Sequence, residues 1–225
     1  MTMPPGSAHS LQQPLQQPVV GTATDKPAPR IRRRAWLLVG LLLLAVPLLA
    51  LGRTWLWPYQ YHGILLTSAE PAADFALESS AGHTLRLSDL RGRYVLVFFG
   101  YTACPDACPL TLANLAQMRA QLGAEQEQVQ VLLITVDPAR DTPARLASYL
   151  AAFDPTFVGL TGAPESLRAV ASQFGVYFAE AEATAGAAVD HTSTVTVIDP
   201  EGYVRLLFPP ATTSDDMAAD LGYLR

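Results

Sequence analysis

Residues 35–51, AWLLVGLLLLAVPLLAL, run for 17 positions without a charged side chain, and nothing else in the sequence limits the fold as strongly. At about 1.5 Å of rise per residue, a helix of that length nearly crosses a hydrocarbon core of roughly 30 Å. Extending it to Trp57 adds only Arg53, whose long side chain can snorkel to a membrane surface. Pro47 lies inside the run, and such prolines are tolerated in membrane helices. Composition agrees, because half of the 225 residues are hydrophobic and only 16% are charged, an apolar balance for a soluble chain. The run therefore reads as one transmembrane anchor over residues 35–57. A cleaved export signal is the competing reading, but the run exceeds the roughly 7 to 15 residues of a signal core and no clear A-x-A site follows it.

The flanks orient this helix. Arg30, Arg32, Arg33 and Arg34 precede the run, and Trp55, Trp57, Tyr59 and Tyr61 follow it. Clustered arginines stay cytoplasmic, while aromatic side chains gather at the far interface. Charge divides the same way: residues 1–57 hold six of the 15 Lys and Arg and one of the 20 Asp and Glu, net +5, which leaves residues 58–225 at net −10. The chain thus reads as a single-pass protein of the inner (cytoplasmic) membrane with its C-terminal domain on the periplasmic, extracytoplasmic side. An acidic domain with no basic stripe interleaved with aromatics excludes nucleic acid as a partner.

Residues 1–34 read as a disordered cytoplasmic tail with a basic flank, since residues 1–29 are rich in Pro, Gln, Ser and Thr without apolar periodicity. Residues 58–73 read as a linker and residues 74–225 as the folded domain. Within it, residues 75–77 and 84–87 flank Ser79-Ser80-Ala81-Gly82 as a hairpin. Residues 94–99 and 129–136 are buried apolar strands, residues 110–122 and 144–152 are helices, residues 157–160 form a short strand, and residues 164–174 form a further helix. Residues 194–198 and 203–207 make a second hairpin across Asp199-Pro200-Glu201-Gly202. This alternation predicts an α/β fold with a central mixed sheet flanked by helices.

Cys104 and Cys108, the only cysteines, stand in Tyr101-Thr102-Ala103-Cys104-Pro105-Asp106-Ala107-Cys108-Pro109, at the carboxyl end of the 94–99 strand, where open α/β sheets place their chemistry. If Pro109 takes the first position of the following helix, Cys108 caps that helix and Cys104 lies in the preceding loop. Both sulfurs then face the positive end of a helix dipole, which favours thiolate over thiol. A structural disulfide closing so small a loop would constrain the unfolded chain little. Structural zinc usually takes four Cys or His ligands, and the domain offers two cysteines with His62, His83 and His191. Disulfide, redox dithiol and metal ligation all stay open on spacing alone. His191, in Val189-Asp190-His191-Thr192, leads into the 194–198 strand, whereas His62 belongs to the linker and His83 to a turn. A lone histidine in such a place is more often structural than a ligand. Two thiolates and one imidazole would compose a three-coordinate Cu(I) site.

At these residues the sequence resembles the Sco/SenC family of copper-binding cytochrome c oxidase assembly proteins. The likeness is carried by Cys104-Pro105-Asp106-Ala107-Cys108-Pro109, Val136-Asp137-Pro138-Ala139-Arg140-Asp141-Thr142-Pro143 and Asp190-His191-Thr192, supported by Val158-Gly159-Leu160-Thr161-Gly162, Val176-Tyr177-Phe178 and Ile198-Asp199-Pro200-Glu201-Gly202. It runs in order over about residues 70–208. The resemblance implies a thioredoxin-like fold, copper bound through Cys104, Cys108 and His191, and a metallochaperone that assists maturation of the binuclear copper site of cytochrome c oxidase subunit II. It also implies thiol–disulfide chemistry, so the alternative is a reductase in which Cys104 and Cys108 form a redox-active pair that keeps target cysteines reduced, with a thioredoxin-like reductant as partner. A peroxidase of the same general fold would commonly need an arginine near its reactive cysteine, and nothing in the sequence singles that chemistry out. Ala103 stands where relatives often carry His or another larger residue. Asp141 or Thr142 reads as the cap of a helix beginning at Pro143, with no catalytic role for Asp137 or Asp141.

Overall fold

The computed structural model describes residues 30–56, 59–178, 194–210 and 212–224, with side chains described from 35 to 49 in the first of these segments. The chain divides into two units, Met1–Pro58 and Tyr59–Arg225. In the first, helix α1 (Arg30–Leu56) runs unbroken for 27 residues through Pro47. It thus takes in the basic flank that the sequence reading left in the tail, while residues 1–29 lie outside the described residues. The described leucines of α1 are exposed, as is Trp36 at 72%. Among the described residues no helix is long and apolar enough to cross a membrane. The described side chains of α1 cover residues 35–49, fewer than the about 20 that a span takes.

The second unit is built on one eight-stranded mixed sheet with strands β1 (Ile64–Pro71), β2 (Ala76–Ser79), β3 (Thr84–Arg86), β4 (Tyr94–Gly100), β5 (Val129–Thr135), β6 (Val158–Thr161), β7 (Val195–Ile198) and β8 (Tyr203–Phe208). Their order is β1-β8-β7-β4-β5-β6-β2-β3. The strands β4, β5 and β6 pair in parallel, and every other pairing is antiparallel. Helix α2 (Ala107–Gln121) makes the crossover from β4 to β5, and α3 (Pro143–Leu150) makes the one from β5 to β6. Helices α4 (Pro164–Gln173) and α5 (Ser214–Leu224) complete the layers. Every residue of β4 and β5 is buried, which is why they read as unbroken apolar runs instead of alternating ones. The β7–β8 hairpin turns at Gly202, where φ is +89° and the Arg91 guanidinium lies against the α-carbon.

Three differences from the sequence reading stand out. Of residues 58–73, read as a linker, 59–73 belong instead to the compact unit, which begins at Tyr59, and β1 adds to the sheet edge through β8, pairing Ile64 with Leu207 and Pro71 with Tyr203. Nearly all of β1 is exposed and its register shifts between Leu65 and Glu70. Such a strand carries no period-2 pattern to be read. Helix α5 opens on Ser214, Asp215 and Asp216 and was not anticipated. His62, assigned to the linker, belongs instead to a clasp between residues 59–63 and α5.

The clasp is centred on Asp220, whose side chain is fully buried. Its carboxylate accepts hydrogen bonds from the Gly63 N–H (2.8 Å), the His62 N–H (3.0 Å) and the Tyr59 hydroxyl (2.7 Å). The His62 ring bridges two carboxylates, with Nδ1 3.0 Å from Asp220 and Nε2 3.3 Å from Asp216. Tyr59 also stacks on Tyr223, ring centroids 3.8 Å apart. Burial pushes the Asp220 carboxyl up, but the bonds donated by Gly63, Tyr59 and His62 outweigh it and hold the group below its ordinary value. Replacing Asp220 by Ala strands these donors and should lower stability by about 3 kcal/mol, read as a fall in Tm. Because the carboxyl is depressed, its contribution should be complete above about pH 4 and fade as the pH falls further. An Asp220→Ala protein that melts with the wild type would show that the clasp holds nothing.

Candidate metal centre

The site forms where β4 ends and α2 begins. The sequence reading placed Cys108 at the helix cap and Pro109 first in the helix, but α2 starts two residues earlier, with Asp106 at the N-cap. The difference is physically small, because first-turn N–H groups lack intrahelical acceptors and a proline costs little anywhere in that turn. Cys108 is thereby drawn into the helix and fully buried, while Cys104 stays in the loop, half-exposed, and no disulfide joins them. The Cys108 N–H donates to Cys104 Sγ at 3.4 Å, and the Cys104 N–H donates to the Tyr101 carbonyl at 3.2 Å. Gly100 forms the seat beneath the buried sulfur: a β-carbon there would lie 2.9 Å from Cys108 Sγ.

The two sulfurs differ electrostatically. Burial pushes the Cys104 thiol up, yet hydrogen bonds from the backbone N–H groups of Asp106, Cys108 and Ala107 and from the Cys108 side chain outweigh it, leaving the thiol below its ordinary value. These donors belong to the first turn of α2, the anion-binding end of a helix. Burial dominates at Cys108 and pushes it up to about 12, with the neighbouring Cys104 and Asp141 adding to the rise. One sulfur thus gives up its proton more readily than an ordinary thiol and the other less readily.

A carboxylate holds the loop in place. Asp141 is fully buried and accepts from the Thr102 N–H (3.0 Å), the Thr102 hydroxyl (2.5 Å) and the Thr135 hydroxyl (2.7 Å). Arg145 closes the group, its Nε 2.7 Å from Thr102 Oγ1 and 3.8 Å from Asp141 Oδ1. Of the two residues proposed as caps, Thr142 is the cap of α3, accepting from the Arg145 N–H at 3.3 Å with Pro143 at the start of the helix. Asp141 instead ties the cysteine loop to β5 and α3. Asp137 pairs with Arg140 and lines an open groove of about 360 Å³ with Val136, Pro138, Gly162, Pro164 and Phe178 at the carboxyl ends of β5 and β6.

The two cysteines are therefore brought together, whereas the third residue expected at the site, His191, lies outside the described residues. The chain is described again from Thr194, and β7 runs antiparallel to β4 with Val195 opposite Phe98. Among the described residues no group of three or more His, Cys, Asp or Glu could hold a metal. The donor pair itself suits a soft metal such as Cu(I), which thiolates select.

The asymmetry has a direct chemical readout. With a limiting alkylating agent at about pH 7.5, the reduced protein should be modified at Cys104 first, with Cys108 reacting only after unfolding. Peptide mass spectrometry reads the result, and equal labelling of the two positions would contradict the assigned difference.

The SCO1/SenC family profile matches residues 66–224. Protein SCO2 homolog, mitochondrial, of Bos taurus is 39% identical over 142 residues, which cover 61% of this chain and 53% of that longer one. The fold matches the solution structure of apo Sco1 from Thermus thermophilus with a TM-score of 0.68 and 40% identity, covering 75% of this chain and 99% of that one. Bradyrhizobium japonicum ScoI, solved with copper bound, matches with a TM-score of 0.63 and 34% identity over 68% of this chain and 99% of its own. With the family profile spanning most of the sequence and the same fold in its relatives, this chain belongs to the SCO1/SenC family.

Proposed function

We propose that this protein is a copper metallochaperone that carries the metal on Cys104, Cys108 and His191 and passes it to the binuclear copper site of cytochrome c oxidase subunit II. The observation that carries the reading is the sulfur pair itself. Two cysteines lie side by side at the carboxyl end of β4, unlinked, with one thiol drawn down by the first turn of α2. The role of His191 is supported by connectivity, since Thr194 follows it by three positions and β7 abuts the carboxyl end of β4, from which the cysteine loop departs. Two thiolates and an imidazole suit Cu(I), and the half-exposed Cys104 gives an acceptor's ligands a point of entry for stepwise exchange.

The same asymmetry supports a second reading, a thiol–disulfide reductase. The Cys104 thiolate attacks a target disulfide, forming a mixed disulfide and releasing one target thiolate. The Cys108 sulfur, after losing its proton, then attacks Cys104 and releases the second target thiol. The target gains two electrons and this protein leaves as the Cys104–Cys108 disulfide, to be restored by a thioredoxin-like dithiol. Anchoring by residues 35–57, with the domain in the periplasm, completes the proposal. It is supported by the uncharged run, by the unbroken α1 helix and by the exposed leucines along it.

Cys104→Ser and Cys108→Ser should each abolish Cu(I) retention and redox cycling, because a hydroxyl is a poor ligand for Cu(I). X-ray absorption on the copper-loaded wild type should report two sulfurs and one nitrogen. His191→Ala should weaken copper binding while the dithiol still cycles. Loss of oxidase assembly in cells carrying only that variant supports delivery, and normal assembly with weakened copper supports reduction. Full copper retention by His191→Ala would remove it from the ligand set. For topology, protease added to sealed spheroplasts should digest the domain while the protein remains in the membrane fraction; a soluble mature form beginning near Trp55 would instead mark residues 35–51 as a cleaved signal.

A further inference from the structure

In the clasp, both nitrogens of the His62 ring face a carboxylate of α5: Nδ1 lies 3.0 Å from Asp220 Oδ1 and Nε2 lies 3.3 Å from Asp216 Oδ1. An ionised carboxylate only accepts hydrogen bonds, and a neutral imidazole carries one N–H and one lone pair. The neutral ring therefore satisfies one carboxylate and turns a lone pair toward the other. The imidazolium, with two N–H donors, satisfies both. Asp216 and Asp220 stand four positions apart on one face of α5, so the two contacts form a clip across one helical turn. Among the described residues, the charges that act on His62 are those of these two acids. Tyr59, with its ring centroid 6.2 Å away, donates its hydroxyl to Asp220, and burial together with that bond pushes its phenol up, away from the neutral range. Tyr61 and Tyr223 both pack on Tyr59. Asp215, the other acid in the first turn of α5, is held by Gln121 of α2 at 2.6 Å. The nearby elements bring no competing cation, because Arg119 of α2 is paired with Asp154 and Arg205 of β8 with Asp199. The hydrogen bond to Asp220 and the two negative charges outweigh desolvation and hold His62 above its ordinary value.

We propose that His62 is a pH-sensitive latch on residues 59–63, the segment by which the chain enters the domain: as the imidazolium it clips that segment to α5 through both carboxylates, and as the neutral ring it holds only one, so the segment opens more readily as the pH rises. The sign follows from the raised position of the group. Its contribution is complete below about pH 6.5, where an unfolded histidine titrates, and is lost as the pH climbs through the higher value that His62 has in the fold. Asp220 behaves in the opposite sense, since its carboxyl fails only in acid. Between these limits both partners are charged and the latch is strongest. Once free, the five residues from Tyr59 to Gly63 can extend to about 18 Å, length that the closed latch keeps against α5. The latch acts whether or not the sulfurs carry copper.

The test compares wild type, His62→Gln and Asp216→Asn as full chains in mild detergent, both substituted side chains being partly exposed. Two quantities are read. One is the midpoint of the His62 C2–H proton shift, assigned by its absence in His62→Gln. The other is hydrogen–deuterium exchange of the peptide spanning residues 59–63, corrected for the intrinsic rate at each pH. Wild-type His62 should titrate above about pH 6.5, and Asp216→Asn should bring the midpoint down. The wild-type peptide should exchange about twofold to fivefold faster at about pH 9 than at about pH 6, the range for one exposed ion pair, while His62→Gln should show the alkaline rate at both. A wild-type midpoint no higher than that of an ordinary histidine, or one that Asp216→Asn leaves in place, overturns the proposal. Wild-type exchange that is the same at both pH values overturns it too, as does a pH dependence that survives in His62→Gln.

Discussion

Between Tyr94–Gly100 and Val129–Thr135 two fully buried strands run in parallel, so Gly100 lies against Thr135 and the two chains leave the sheet together. The Val136 N–H still donates to the Gly100 carbonyl at 3.0 Å beyond the last pair, which carries the alignment past the strand ends. One chain then forms the cysteine loop and the other forms the loop that holds Asp141. The three hydrogen bonds from Thr102 and Thr135 to Asp141 are possible only because this pairing sets both loops side by side. Slipping the register by one residue would turn the Thr135 hydroxyl to the opposite face of the sheet, and the carboxylate would lose an acceptor-satisfying donor in a place where water cannot replace it.

The same junction explains why metal binding and thiol exchange are hard to separate in such a domain. Both chemistries need a sulfur that gives up its proton easily and a second one close behind it. Here the first turn of α2 supplies the first property to Cys104, and burial over Gly100 withholds it from Cys108. The geometry that suits an attacking and resolving pair would thus suit the two-sulfur seat proposed for the metal. What divides the two outcomes is a third donor, and the sequence offers His191 for it.

How much of this could be read without coordinates depended on whether burial was local or distant. The strands β4 and β5 were legible because residues buried on both faces form continuous apolar runs. The cap of α3 was legible because Thr142-Pro143 is a local signal. The edge strand β1 was not, since its side chains are largely exposed and it is held by backbone pairing to β8, while the residues just before it are held by Asp220, some 160 positions away. Asp141 was misread for a related reason: its type and place suggested a cap, while its actual partners, Thr102 and Thr135, come from other elements. The start of α2 was displaced because proline is permitted throughout the first helical turn. The cysteine pair was found by motif, but the inequality of its two sulfurs comes from packing on Gly100, which no spacing reveals.

The irregular β1 also bears on how the domain behaves in a crowded compartment. An open sheet exposes unpaired backbone at both margins, and a long flat margin invites another chain to add a strand. Here one margin is β3, only three residues long, and the other is β1, broken in register and closed by Pro71, which has no N–H to offer. Neither margin can template a further strand over more than a few residues. The domain is thereby kept from joining its own copies edge to edge over any length of backbone.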